Sequence, residues 1–143
     1  MRGLVVAAAL LMAPSLWAEG GKAPAAPPNM ESYQLVLLVR RADAPKLSDA
    51  EGEKLQAAHI AHLKKMAAAG KMVVAGPLDD QPDPSLRGIC LYKVGSLAEA
   101  RALAEEDPTV KAGRLRVEVM TWWTEKGAMT FPVADAMKKA ATK

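Results

Sequence analysis

Cysteine is nearly absent. Cys90 is the only one in 143 residues, so no internal disulfide is open to the chain. It lies in a strand-like run and reads as a small buried hydrophobe rather than a nucleophile. No cysteine stands near residue 18 to accept a lipid. Aromatic residues make up only 4% of the chain, and Lys and Arg are spread along it among acids, for a net charge of +3. A basic stripe with interleaved aromatics is therefore missing, which excludes the usual nucleic-acid surface. There is no phosphate-binding loop pattern and no glycine-rich strand-to-helix fingerprint, so a nucleotide site is excluded too. His59 and His62 are the only histidines. They could begin a metal site, but a third ligand is missing nearby, so no metal and no cofactor are expected. The longest apolar run, Leu4 to Met12, falls well short of the roughly 20 residues that span a bilayer.

What is present divides the chain into four parts. Residues 1–18 carry Arg2, the apolar run, Pro14, Trp17 and Ala18, the layout of a secretory signal. Cleavage after Ala18 would leave no membrane span and deliver the protein to the periplasm or the medium. Residues 19–30 are rich in Gly, Pro and Ala and read as a linker. Residues 31–126 are expected to form the single folded domain, and residues 127–143 a tail with Phe131-Pro132 and terminal lysines.

Within the domain, Tyr33 to Arg41 has apolar residues on both faces of an alternating strand, Tyr33, Leu35, Leu37 and Val39 on one and Val36 and Leu38 on the other. This predicts a central strand buried on both sides. Ser48 and Glu51 form a capping-box pattern that opens a helix, and Gly70 closes it about twenty residues on. Leu55, His59, Leu63 and Met66 share its core-facing stripe, with His62 at the edge. Met72 to Ala75 is a second strand, ended by a Gly76-Pro77 turn. The acidic, proline-rich residues 79–86 form a hairpin loop before a third strand, Gly88 to Val94. Ser96 and Glu99 repeat the capping pattern for a short helix, which Asp107-Pro108 stops. Leu115 to Trp123 is a fourth strand, its Arg116 and Glu118 facing away from Leu115, Val117 and Val119, as on an edge.

The order is β-α-β-β-α-β, an α+β chain of ferredoxin-like type: an antiparallel sheet with two helices on one face. The apolar side of the first strand that the helices leave bare calls for a cover. A second copy is the simplest one, so a homodimer through the open sheet face is predicted.

At these residues the chain resembles the YCII-related (YciI-like) family over about residues 31–123. The likeness rests on Ala58-His59-Ile60-Ala61-His62-Leu63, the helix end at Gly70, Ala75-Gly76-Pro77, Ser96-Leu97-Ala98-Glu99-Ala100 followed by Asp107-Pro108, and the strand after Ala112-Gly113. The resemblance implies a dimeric α+β barrel and an active site built from the helix histidine and the aspartate of the Asp-Pro pair, here His59 and Asp107. It also implies lyase-type chemistry on small organic acids. His62, the leader and the linker are additions to the family pattern.

A carboxylate holding one imidazole nitrogen fixes the tautomer and frees the other nitrogen as a base. His59 and Asp107 are thus the candidate catalytic pair, with His62, Gly76 and Pro77 as candidate ligand contacts. The reading is an exported, cofactor-free enzyme that moves a proton on a small organic acid. The alternative is a non-catalytic periplasmic module that binds a small molecule or serves in assembly.

Overall fold

A computed structural model describes residues 26–129. The expected leader, most of the expected linker and the residues beyond Met129 lie outside the described residues. In chain order the elements are β1 (Met30–Arg40), α1 (Asp49–Ala68), β2 (Met72–Pro77), β3 (Leu86–Tyr92), α2 (Leu97–Glu105), α3 (Pro108–Lys111) and β4 (Leu115–Glu125). The strands form one antiparallel sheet in the order β2-β3-β1-β4. That is the ferredoxin-like arrangement, with β1 in the interior and β4 at an edge, as the apolar patterning predicts.

The strand β1 is buried on both faces because its side chains serve two clusters. Val36 and Leu38 join Met66, Ala67, Met72, Cys90, Ala100 and Ala104 beneath the helices. Tyr33 joins Val73 and Leu91 on the opposite face, with Leu35 and Met129 packed against them. The β1–β4 register sets Tyr33 opposite Trp122, and their rings lie 6.2 Å apart.

Helix α1 starts where the sequence places it. Ser48 is the N-cap, and Glu51 returns its carboxylate to the Ser48 backbone N–H at 2.8 Å. Such a cap is worth about 1 kcal/mol. Gly70, at φ 70°, turns the chain out of the helix, a conformation that costs an L side chain. At α2, Ser96 Oγ accepts from Glu99 N–H, but the Glu99 carboxylate does not close the box onto Ser96. It accepts from Gly95 N–H at 3.2 Å and from Lys71 Nζ at 2.8 Å instead, tying α2 to the start of β2.

Two local expectations change. Gly76 and Pro77 are strand residues, paired with Ile89 and Gly88. Proline is tolerated there because β2 is an edge strand whose outer N–H positions need no partner. Asp107-Pro108 does end α2, but it also begins α3, with Asp107 as N-cap and Pro108 in the first turn. A proline at this position gives up only an N–H that no helical carbonyl could reach.

The two layers do not close evenly. On α1 only Met66 and Ala67, near its C-terminal end, are fully buried. Towards its N-terminus the sheet offers it Ala75, Gly76 and Gly88, which are too small to reach it. The result is a cleft of about 510 Å³ between α1 and the sheet. Gly88 is obligatory in its wall: a Cβ there would stand 2.8 Å from the Gly76 carbonyl oxygen. Backbone on both sides leaves little room for relief. Gly88→Ala is expected to destabilise the domain by about 1–3 kcal/mol, read as a lower urea midpoint at unchanged slope.

Candidate functional site

The cleft is floored by sheet residues and roofed by α1, and His59 projects into it from the helix. The Nδ1 atom of His59 lies 2.6 Å from Oδ2 of Asp107, with only 12% of the His59 side chain and 2% of the Asp107 side chain exposed. Asp107 reaches this position because it caps α3. Its other oxygen, Oδ1, accepts from the Thr109 backbone N–H at 2.8 Å and from Thr109 Oγ1 at 2.7 Å. Both carboxylate oxygens are thus committed, and the aspartate has little freedom to rotate. An ionised carboxylate can only accept, so Nδ1 of a neutral His59 carries the proton and Nε2 presents a lone pair.

Burial by itself would push the Asp107 carboxyl up. The hydrogen bonds from His59 and Thr109 outweigh it and hold the group below the ordinary carboxylate value. The negative form is therefore the one the fold favours. Cys90 also lines the cleft, but burial, assisted by the charge of Asp107, pushes its thiol up to about 12. It stays protonated at neutral pH and is a poor nucleophile.

The remaining sequence candidates divide. Gly76 and Pro77 line the cleft wall. His62 is not among the lining residues. Its Nε2 is buried without a hydrogen-bond partner among the described residues. Burial lowers the pKa of His62, against a smaller upward pull from Asp107, so this ring is held neutral. Among the described residues no group of three or more His, Cys, Asp or Glu is placed to hold a metal ion, and no helix is long and apolar enough to cross a membrane.

Sequence reasoning missed five polar residues of the cleft: Gln56, Thr109, Arg40, Arg87 and Arg114. Thr109 stands two residues after the candidate aspartate, a spacing typical of side chains that bond a capping carboxylate. The arginines lie far apart in the sequence and carry no such local signal.

Comparison with known proteins bears on this arrangement. The family model of the YCII-related domain matches residues 34–123, a span that contains all of α1, β2 and β3 and the His59–Asp107 pair. The chain belongs to the YCII-related family. A search of curated proteins gives no match. Among solved structures, the domain is similar to 5-chloro-2-hydroxyhydroquinone dehydrochlorinase from Burkholderia phenoliruptrix, whose structure is a complex with 2,5-dihydroxybenzoquinone. The identity is 22%, with 63% of this chain and 90% of that chain covered and a TM-score of 0.44.

The electrostatics of this YCII-related domain make a pH prediction. A carboxyl whose folded value is depressed contributes its stabilisation in full above the unfolded value, about 3.9, and loses it as pH falls through the folded value. Asp107→Asn is expected to be less stable than the wild type at pH 7 by about 1–3 kcal/mol. Urea denaturation across pH should show that gap closing on acidification below the ordinary carboxylate value.

Proposed function

We propose that the protein is an exported acid/base enzyme that performs lyase-type chemistry on a small organic acid without a cofactor. The observation that carries this reading is the His59–Asp107 contact at 2.6 Å on the wall of a cleft of small-molecule size. His59 Nε2 is the base. It takes a proton from the carbon beside a carboxylate or carbonyl, and the C–H electron pair becomes the new C=C bond. The bond to a leaving group on the next carbon then breaks, and that group departs with its electron pair. The imidazolium so formed is stabilised by the Asp107 carboxylate at Nδ1, and it returns its proton to solvent or to the leaving group. Asp107 acts through His59 and is a positioning residue. General base catalysis of this kind contributes typically about 10²–10⁴-fold.

Export rests on Arg2, the apolar run Leu4 to Met12 and Ala18. The homodimer belongs to the same proposal. Its support is the face of the sheet turned away from the helices, where β4 sets Met120 opposite Leu35 and Trp122 opposite Tyr33. Met120 and Trp122 are 40% and 39% exposed, and apolar area of this kind favours burial against a second copy. Trp122→Glu would place a charge in that interface. It is expected to halve the particle mass measured by light scattering after size-exclusion chromatography.

The enzyme reading is tested by incubating the protein in D₂O with a panel of small halogenated and unsaturated acids and following the carbon-bound protons by ¹H NMR. Exchange or elimination at the carbon beside the carboxylate is expected. His59→Gln should lower its rate by about 10²-fold or more while the thermal midpoint stays within a few degrees of the wild type, an estimate for substitution of a partly buried polar side chain. A ligand retained by the wild type with no exchange at any carbon would instead mark a binding module.

A further inference from the structure

The described chain contains six arginines, and they fall into two groups. Arg41, Arg101 and Arg116 each have a carboxylate beside them, Asp43, Glu105 and Glu118 respectively. Arg40, Arg87 and Arg114 have none within 4.0 Å among the described residues, and these three are the ones that line the cleft. Surface chemistry alone gives no reason for the division, since acids are plentiful elsewhere.

Their positions follow from the fold. Arg40 is the last residue of β1. By alternation it shares the helix-facing side with Val36 and Leu38, one strand step beyond the core. Arg87 lies in a register irregularity of β3: Leu38 pairs with Gly88 while Val39 pairs with Leu86, leaving Arg87 unmatched on β1. Bulges of this sort re-aim a side chain and occur often beside functional sites. Arg114 follows Gly113, whose φ of 70° turns the chain out of α3, and one of its guanidinium nitrogens donates to the Pro45 carbonyl at 2.8 Å. The remaining guanidinium donors make no hydrogen bond among the described residues.

We infer that Arg40, Arg87 and Arg114 form an oxyanion subsite in the cleft that takes the carboxylates of a small organic dianion. The inference rests on the acid/base reading of His59 and names the class of acid that the same site would receive. Guanidinium donors match carboxylates in paired, charge-assisted hydrogen bonds. A single carboxylate would leave two of the three cations uncompensated, which favours a ligand with two anionic groups. The crowding has a cost in the empty cleft: partial burial, and then the charges of Arg114 and Arg87, lower the affinity of Arg40 for its proton. An incoming dianion relieves that repulsion. It also sets the carbon beside its carboxylate against His59, where the arginines stabilise the charge that develops as the proton leaves.

The test is isothermal titration of the full chain with malonate, acetate and inorganic phosphate at low ionic strength. Malonate is expected to bind at least about tenfold more tightly than acetate, and Arg40→Gln and Arg87→Gln are each expected to weaken malonate by about tenfold, the equivalent of one charge-assisted contact. Both residues are exposed at the rim, and unchanged thermal midpoints would establish that the variants are folded. Equal affinity for malonate and acetate, phosphate bound more tightly than malonate, or malonate affinity unchanged in both variants overturns the assignment. His59→Gln separates the two readings. It should keep malonate binding and lose C–H exchange; binding without exchange in the wild type would sink the catalytic reading alone, whereas exchange with an affinity blind to both arginines would sink this one alone.

Discussion

Asp107 has two carboxylate oxygens, and each serves a different scale of structure. Oδ1 caps α3 through the Thr109 backbone and hydroxyl; Oδ2 receives His59, 48 residues earlier in the chain. The first interaction is local and costs little chain entropy to form. The second joins α1 to the segment between α2 and β4, and so fixes the roof of the cleft relative to its end wall. A buried charge is tolerable only if its oxygens are satisfied, so the cap and the dyad depend on one another. Loss of the cap would free the carboxylate to rotate, and loss of His59 would leave one oxygen without its partner in an apolar surround.

The cleft exists because the same sheet is used unevenly. Where Met66 and Ala67 join Val36, Met72 and Tyr92 in one buried cluster, the layers close. Half a helix away, the wall is Ala75, Gly76 and Gly88, and no side chain fills the gap. Gly88 is held to glycine by the Gly76 carbonyl, so this wall position carries no side chain.

Much of this is written locally and can be read without coordinates. Ser48 with Glu51, Gly70, and the two-sided apolar pattern of β1 are short-range signals; they place α1 within a residue or two and the end of the central strand within one, while its start lies three residues earlier, at Met30. The ends are less legible, because a strand's end depends on its neighbour. Gly76 and Pro77 look like a turn in isolation and are strand residues only because Ile89 and Gly88 pair with them. Helix α3 escapes for a similar reason: a four-residue helix has no periodicity to detect. The His59–Asp107 pairing is legible only through likeness to a family, since nothing in their spacing requires contact. The arginines are the least legible of all. Arg40 and Arg87 lie near the ends of β1 and β3 and Arg114 just before β4, positions that only the order β2-β3-β1-β4 makes neighbours. In regular alternation Arg87 would share the face of Leu91 on the far side of the sheet; a register shift between Leu38 and Val39 interrupts that alternation.

The two histidines show why one ring, and not the other, suits proton transfer. They stand three residues apart on α1 and share its core-facing side. His59 has a fixed acceptor at one nitrogen and the cleft at the other. His62 has a buried Nε2 with no partner among the described residues, and desolvation holds it uncharged despite the nearby carboxylate. That difference has a consequence for the dyad. A second imidazolium on the next turn would repel the one that forms when His59 takes a proton, and would compete for the field of Asp107. A neutral His62 leaves the single negative charge of Asp107 to answer the single positive charge that appears on His59. On the acid/base reading proposed above, the cleft would separate its charges by role, with the Asp107 carboxylate at Nδ1 of His59 and the three guanidiniums elsewhere in the lining.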